Sequence, residues 1–218
     1  MNKRMISFTA ALLLVCTGAG AGILDRFSLR VGPGAILPLG GSYTDVQKLN
    51  KIVQLGAVMN GGLRCQVSEY FYVDAGYVFN WMPVKKEARP FDYRELRPAL
   101  NIQMWNLNAT LFLSKGFVIQ PYLTAGAGIC PWRFSKTSVW GDPWPAPSKP
   151  EESFDDTSLG LNAGIGAETH LFSRFSVFLE FKYNYVFTRN PEKFGTDDFN
   201  EHDFLGLNVG LVFNLGKK

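Results

Sequence analysis

Residues 205–215 read LGLNVGLVFNL, and this stretch decides the fold. Taken in steps of two, its apolar residues share one face: Leu205, Leu207, Val209, Leu211, Phe213 and Leu215. The other face is small or polar, with Val212 as the apolar exception: Gly206, Asn208, Gly210 and Asn214. A period of two is the period of a β-strand, so the stretch predicts a strand with one apolar and one polar face.

The same strand carries residues in the order polar, any, glycine, any, any, aromatic, any, hydrophobic. They are Asn208, Gly210, Phe213 and Leu215. The order resembles the C-terminal insertion signal of bacterial outer-membrane β-barrels, which implies the barrel assembly machinery as a partner. The tail 216–218 departs from that signal, because such chains usually end at the aromatic residue or one residue beyond it.

Seven earlier segments repeat the alternation, and each is separated from the next by a spacer. With the last strand they predict eight strands, at residues 27–37, 53–67, 71–81, 100–113, 117–129, 158–171, 177–188 and 205–215. Three spacers are tight turns and the others are long. Because the two kinds alternate along the chain, all the long connections are expected on one side of the sheet.

The tight turns are predicted at Ser68–Tyr70, Ser114–Gly116 and Phe172–Arg174. Each must hold an odd number of residues, since an even number would put the apolar faces of its two strands on opposite sides of the sheet. With three residues in the first turn, Val67 pairs with Phe71. This register places Arg64 directly across from Asp74 on the polar face.

Two strands contain breaks in the pattern. Pro33 interrupts the first strand, and because proline has no N–H to donate, we expect a β-bulge near Gly32–Gly34. The second break lies near Gln103, where we expect a bulge or a phase slip. It separates the later part of the strand from three apolar residues in the opposite phase: Leu100, Ile102 and Met104.

The longest spacer, residues 131–157, is rich in proline, has no periodicity and is predicted to be a loop. It contains three tryptophans: Trp132, Trp140 and Trp144. These are candidates for contact with a surface ligand. The alternative is that they pack against their own loop or the barrel rim, which is the ordinary behaviour of long loops.

The direction of the two faces separates a soluble barrel from a membrane barrel. In a soluble barrel the apolar face would point inward. Here the polar face is rich in glycine and poor in long charged side chains, which suits a crowded interior better than a surface in water. The apolar face has aromatic residues toward both ends, as two interfacial girdles require: Phe71, Phe117, Phe175, Phe79, Trp81, Tyr185 and Phe187. The pattern therefore predicts lipid on the outside.

The whole exported chain resembles the small outer-membrane β-barrel family of the OmpA/OmpX and OmpW types, often described as porin-like. The resemblance rests on the eight segments, the closing strand, and the pieces QPYLTAGAG (120–128) and FLEFKY (178–183). It implies an all-β fold, an eight-stranded antiparallel up-and-down transmembrane β-barrel in a Gram-negative outer membrane. Both termini would be periplasmic and the four loops extracellular. Strand eight must pair with strand one, because unpaired backbone groups cannot face hydrocarbon.

The N-terminus has the three parts of a secretory signal peptide: a positive start at 2–4, an apolar core at 5–15 and a small-residue site at 19–21. We expect a signal peptide at 1–21 and the barrel domain at 22–218. A lipoprotein signal leading to Cys16 is the alternative, although Val15 is a poor fit where a small residue is usual.

Charge and cysteines narrow the classes further. The formal net charge is +3, and because Lys3 and Arg4 lie in the predicted signal peptide, the exported chain would be near +1, a balance that does not indicate a nucleic-acid-binding patch. Cleavage would leave Cys65 and Cys130 on non-adjacent strands. A disulfide needs Cα atoms within about 7 Å, so we expect none.

The polar face would form an interior network of paired charges, with Arg64 against Asp74 and Glu180 against Glu168 and Lys182. The interior of an eight-stranded barrel is about wide enough for side chains to fill. We therefore expect a sealed, monomeric barrel with a structural or surface-interaction role, surrounded by outer-membrane lipid and lipopolysaccharide. The alternative, which the resemblance allows, is a narrow channel or a lateral route for small solutes.

A lipid A modifying enzyme is a third hypothesis, and it would need a nucleophile beside a base. His170 lies by Glu168 and Ser173, and His202 lies in a charged loop beside Asp203. Neither has a serine in a convincing motif. We therefore expect no catalytic residue and no enzyme activity. The sequence also has no metal-ligand cluster and no phosphate-binding loop, so we expect no cofactor and no metal.

Overall fold

The computed structural model describes residues 22–44, 47–89, 97–137, 141–147, 149–194 and 199–216. Within these ranges the chain forms a closed antiparallel barrel in which each strand pairs with its sequence neighbours and the last pairs with the first. The strands are β1 Phe27–Pro38, β2 Gly56–Gln66, β3 Phe71–Pro83, β4 Ala99–Phe112, β5 Ile119–Ser135, β6 Asp155–Phe172, β7 Phe175–Val186 and β8 His202–Asn214. The predicted eight-stranded up-and-down barrel is confirmed.

Short helical turns lie in the connections: Ile23–Arg26 and Lys86–Ala88 are 3-10 turns, and Leu49–Ile52 and Pro191–Phe194 are α-helical. None of the helices in the described ranges is both long and apolar enough to span a membrane. The predicted signal peptide, residues 1–21, lies outside the described residues and stays a prediction.

The apolar face of the strands points outward. Leu159 and Met59 are 67% and 56% exposed, while Arg64 and Asp74 on the other face are 2% and 6% exposed. This is the inverse of a soluble barrel and is the arrangement that lipid requires, because apolar side chains face the surroundings and polar ones face inward. The predicted direction of the two faces is therefore correct.

The two ends of the barrel differ. At the turn end lie both termini of the described chain and the connections β2–β3, β4–β5 and β6–β7. At the loop end lie four long connections, named here L1 (39–55), L2 (84–98), L3 (136–154) and L4 (187–201).

The first turn has the predicted register. The Val67 and Ser68 amides both donate to the Phe71 carbonyl, each at 3.0 Å, and Arg64 pairs with Asp74 across β2 and β3. The second turn is longer than predicted: the Leu113 amide donates to the Pro121 carbonyl at 2.9 Å, which leaves seven residues between them. Seven is also an odd number, so the apolar faces still match.

The third turn differs in a different way. His170 pairs with Ser176 in the register expected of three turn residues, but a bulge at Leu171 then shifts the pairing, so that Phe172 lies opposite Phe175. The turn itself therefore shortens to Ser173 and Arg174, while the faces of β6 and β7 remain aligned.

Neither expected bulge is present. Around Pro33 the pairing of β1 with β2 and β8 keeps one register, and only the β8 pairs of Gly32 and Pro33 are missing. Because the prolyl nitrogen has no hydrogen to donate, β1 loses its pairing with β8 at this point, but no extra residue is inserted into the strand. β4 likewise runs through Gln103 without a shift, and the three residues in the opposite phase point into the barrel.

Those three residues belong to an apolar core at the loop end. Leu100, Ile102 and Met104 are almost completely buried, together with residues of the other strands and of all four loops: Ile36, Val58, Leu49, Ile52, Val84, Trp144, Phe154, Phe194 and Phe199. The interior is therefore polar near the turn end and apolar near the loop end. Alternation alone did not indicate this second layer.

β5 and β6 extend beyond their predicted ends, so Trp132 lies on a strand and not in the loop. Trp132 and Trp144 are buried in the loop-end core, which agrees with the alternative that they pack against the loop and the barrel rim and argues against contact with a ligand. Trp140 lies outside the described residues. Cys130 is a buried free thiol, so Cys65 and Cys130 are not joined.

Candidate functional site

A belt of polar side chains crosses the barrel interior near its middle. Its charged members are three cations and three anions, contributed by five strands: Arg30, Arg64, Lys182, Asp74, Glu168 and Glu180. β4 and β5 add Thr110 and Tyr122, and β8 adds Asn208, which accepts a hydrogen bond from Asn60 at 3.2 Å. All eight strands are therefore tied together through the lumen.

The first cluster of the belt is centred on Arg64. Its guanidinium donates to Asp74 at 2.6 Å and to Glu168 at 2.8 Å, and the second Asp74 oxygen accepts from the Thr110 hydroxyl at 2.6 Å. One cation thus serves two carboxylates, and the cluster carries one excess negative charge. All three charged side chains are buried, so each depends on its partners for compensation.

The second cluster is centred on Glu180. It accepts from Arg30 at 2.8 Å and from the Tyr122 hydroxyl at 3.1 Å, and it pairs with Lys182 at 3.0 Å. This cluster carries one excess positive charge, so the belt as a whole is neutral. Tyr122 stands between the clusters, and Gly166 opposite it leaves room for its ring, because a β-carbon at that position would overlap the ring.

The predicted interior residues therefore lie together, with two differences. Glu168 bonds Arg64 and is not part of the Glu180 group, and Arg30 and Tyr122 are central although the sequence did not single them out. Both differences involve contacts across the lumen between strands that are not neighbours. The available signal was the phase of Arg30, which shares the polar face of β1 with Ser28 and Gly32.

Cavities lie on either side of the belt. One of about 250 Å³ opens at the turn end and is lined by Arg64, Glu168 and His170 among others. The other holds about 50 Å³ and lies toward the loop end, among a group of asparagines: Asn60, Asn80, Asn106, Asn108, Asn184 and Asn208. A space of that size, with this many amide groups around it, suits a few ordered waters.

An aromatic cap closes the loop end of the interior. Phe134 and Phe154 stack with ring centroids 4.9 Å apart, Trp132 and Phe199 approach to 4.1 Å, and Tyr43 of L1 packs edge-on against Phe134 at 5.4 Å. Strands and loops thus share one core. These aromatic side chains do not line an open passage, since they are only 0 to 1% exposed: Trp132, Phe134, Phe154 and Phe199.

His202 joins three segments of this cap. Its ring lies 3.8 Å from that of Phe199, its Nε2 contacts the Ser42 carbonyl at 3.2 Å and its Nδ1 contacts the Thr188 hydroxyl at 2.6 Å. The residue is the first of β8, on the loop side of the lipid-facing band, and is fully buried. The predicted placement in a charged loop is therefore wrong. Burial, the largest effect, lowers the pKa of His202 to about 3, against a smaller upward effect of the Ser42 hydrogen bond.

The two histidines lie at opposite ends of the barrel. His170 Nδ1 is 2.7 Å from the Ser176 hydroxyl, a pair that the sequence did not reveal because Ser176 is six residues away. Ser176 is completely buried, and the carboxylate of Glu168 is bound to Arg64. Among the described residues no group of His, Cys, Asp and Glu could hold a metal ion.

The rim of the loop end is divided by charge. Among the described residues, L1 and L2 together contain six Lys or Arg and one Glu, whereas L3 and L4 contain four Lys or Arg and five Asp or Glu. Because the loops follow one another around the closed barrel, these are a basic half and an acidic half of one rim. Next to the acidic half, Asp155 at the start of β6 binds Arg133 of β5 at 2.9 Å and Lys193 of L4 at 3.3 Å.

This arrangement is that of a known family. The family described as Outer membrane protein beta-barrel domain matches residues 7–213, nearly the whole chain. The chain belongs to this family. It is therefore a bacterial outer-membrane β-barrel protein, and the outward apolar face of its strands is the surface that meets lipid.

Solved structures of outer-membrane barrels share the architecture. Neisserial surface protein A is 12% identical, with 86% of this chain and 96% of that chain covered and a TM-score of 0.57. OprG of Pseudomonas aeruginosa is 14% identical, with 87% and 95% covered and a TM-score of 0.46. Ail of Yersinia pestis is 15% identical, with 86% and 99% covered and a TM-score of 0.44. At these identities the likeness concerns the fold alone. The comparison with curated proteins found no significant match to the sequence.

Proposed function

We propose that this outer-membrane barrel is sealed and serves a structural and surface-interaction role, with the loop end outside the cell and both termini in the periplasm. One observation carries the proposal: a charge-paired belt and an aromatic cap lie in series along the same interior, with a cavity of only about 50 Å³ between them. A solute would have to displace two buried, ion-paired clusters whose opposite excess charges make the belt neutral as a whole. The exposed part of the rim is then the surface that is available to partners.

Conductance in planar lipid bilayers tests the seal. The refolded chain, with insertion checked by heat-modifiable gel mobility, is expected to give no unitary steps. The matched variant is Trp132→Ala/Phe199→Ala, which removes the Trp132–Phe199 ring contact of the cap and leaves the belt intact. Fixed unitary steps from the unmodified chain would contradict the sealed barrel.

Epitope insertion tests the orientation. One tag is placed at Gly116, which has open space around it at the turn end, and the other between Glu151 and Glu152, which are exposed in L3. Antibody added to intact cells is expected to label only the L3 tag, and both tags after the cells are permeabilised. Labelling of the Gly116 tag on intact cells would reverse the proposed orientation.

Insertion by the barrel assembly machinery is part of the proposal. Asn208 and Gly210 lie on β8, and Phe213 contacts Phe175 on the outer face with ring centroids 5.0 Å apart. Phe213→Ala is expected to lower the amount of the protein in the outer membrane while the purified chain still refolds in detergent. Normal amounts in cells would argue against a signal role for Phe213.

A second function is favoured by the apolar lining near the loop end. If the cap opened, Ile36, Val58 and Met104 would line an apolar mouth suited to small apolar solutes. Uptake of a labelled medium-chain alkane that saturates and rises with expression would favour such a route. Uptake equal to that of cells without the protein would count against it.

A further inference from the structure

We propose that the basic half of the rim is a binding surface for the phosphate groups of outer-leaflet glycolipid, with Lys48, Lys51 and Lys86 as its cations. The three lysines are exposed, and none forms an ion pair with any residue the structure describes. This inference relies on the outward orientation of the loop end, and it is independent of whether the barrel conducts.

The backbone holds these lysines in place. The one-turn helix Leu49–Ile52 buries Leu49 and Ile52 in the core, while Lys51 within it and Lys48, the extended N-cap residue before it, are both exposed. L1 and L2 are joined by the Val53–Val84 bridge, and Lys85 donates to the Asn50 carbonyl at 2.8 Å. The lysines of both loops therefore form one fixed surface.

The surface lies at the height of lipid headgroups. Leu55, 59% exposed, lies in L1 directly before β2, and Pro83 is the last residue of β3, two residues after the outward-facing Trp81. Lys51 and Lys86 are three or four residues further on, which places them within roughly 10 Å of the lipid-facing band. The headgroup layer extends roughly 5 to 8 Å beyond the hydrocarbon, and a lysine side chain can bend toward it.

Charge and position together favour a lipid phosphate over a soluble anion. The cations border an exposed apolar strip that includes Leu39, Leu55 and Met59, so a ligand with a phosphate above acyl chains would match both parts. Glu87 is the acidic residue within the described part of this surface, and it lies beside Lys86. On the acidic half, Lys193 is bound to Asp155 and Lys149 donates to the Glu192 carbonyl, so two of the four described cations there are already engaged.

Native mass spectrometry of the refolded full chain in detergent, titrated with bis-phosphorylated lipid A, tests the proposal. The variant is Lys48→Gln/Lys51→Gln/Lys86→Gln. The matched control is Lys136→Gln/Lys149→Gln/Arg189→Gln, which removes the same number of charges from the other half of the same rim. Heat-modifiable mobility shows that each variant folds.

The unmodified chain and the control are expected to bind phosphorylated lipid A alike, and the variant at least about tenfold more weakly. Dephosphorylated lipid A should bind the unmodified chain as weakly as the variant binds the phosphorylated form. Equal binding by variant and control would overturn the proposal. So would tighter binding of a soluble sulfated polysaccharide than of lipid A by the same lysines. Because the measurement uses purified protein, its failure is distinct from a failure of the proposed orientation or seal.

Discussion

The Arg64 cluster makes the sharpest prediction for stability. Arg64→Met keeps the volume and removes one cation, which leaves the buried carboxylates of Asp74 and Glu168 without their shared partner. The two lost contacts are charge-assisted hydrogen bonds of 2.6 and 2.8 Å, each with a net contribution of about 1.5 to 3 kcal/mol. A loss of about 3 to 5 kcal/mol is expected, which is also the usual cost of breaking a buried ion pair on one side.

A compensated variant separates the effect of losing the cation from the effect of leaving two buried carboxylates without a partner. Arg64→Met/Asp74→Asn/Glu168→Gln removes all three charges together, so no uncompensated charge stays in the lumen. It is expected to recover most of the stability that Arg64→Met alone loses, since replacing a whole buried ionic group is often neutral. Lys115→Met is the control: it removes a cation from beside Tyr72 and Phe112 at the turn end, and a change below about 1 kcal/mol is expected.

Reversible guanidinium unfolding in phospholipid bilayers, followed by gel mobility and tryptophan fluorescence, gives the free energies. Two results would contradict a buried cluster that depends on Arg64: a decrease in the free energy of unfolding of less than about 1 kcal/mol in Arg64→Met, or a compensated variant that is no more stable than Arg64→Met. The first result would mean that water reaches the cluster and screens it, and the second would mean that the loss does not come from uncompensated charge.

Three further results are expected. Since the pKa of His202 is lowered to about 3 in the folded cap against about 6.5 when unfolded, the unfolded form takes up a proton first as the pH falls. Cap stability should therefore be constant above pH 6.5 and fall by about 2 kcal/mol between pH 6.5 and 5, as measured by hydrogen exchange corrected for intrinsic rates, and His202→Asn should abolish this slope. Gly126→Ala places a β-carbon against the Leu107 carbonyl and the Asn108 side chain, so it should impair refolding, while Gly61→Ala, with no neighbour nearer than 3.8 Å, should refold normally. A spin label at Gln103 should be more accessible to a water-soluble relaxation agent and one at Leu107 to oxygen; equal accessibility would show that the lipid boundary is not between them.

Contacts fixed by local register were predictable from the sequence. Once the first turn is required to have an odd number of residues, the position of Arg64 opposite Asp74 follows from counting along two adjacent strands. The i, i+2 spacing of Glu180 and Lys182 on one strand face is visible in the same way.

Contacts across the lumen were not predictable. Arg64 reaches Glu168 from β2 to β6, and Arg30 reaches Glu180 from β1 to β7 past β8. Which side chains meet there depends on the tilt, stagger and width of the closed barrel, and alternation along a strand carries none of these quantities. The cap was missed for a related reason, since its parts come from loops that have no periodicity.

The apparent phase conflict in β4 arises because one part of this regular strand is surrounded by lipid and the other part by water and the loops. From Trp105 onward, the outward residues meet lipid, and the inward residues Asn106, Asn108 and Thr110 are polar. Before Trp105 the pleat is unchanged, but the inward residues become Leu100, Ile102 and Met104 and are buried beneath the loops. Above the lipid the surroundings are water, so apolar burial is favourable on the inside again. A reversal of polarity along an unbroken strand therefore indicates where this barrel leaves the membrane, and that its loops fold over a core.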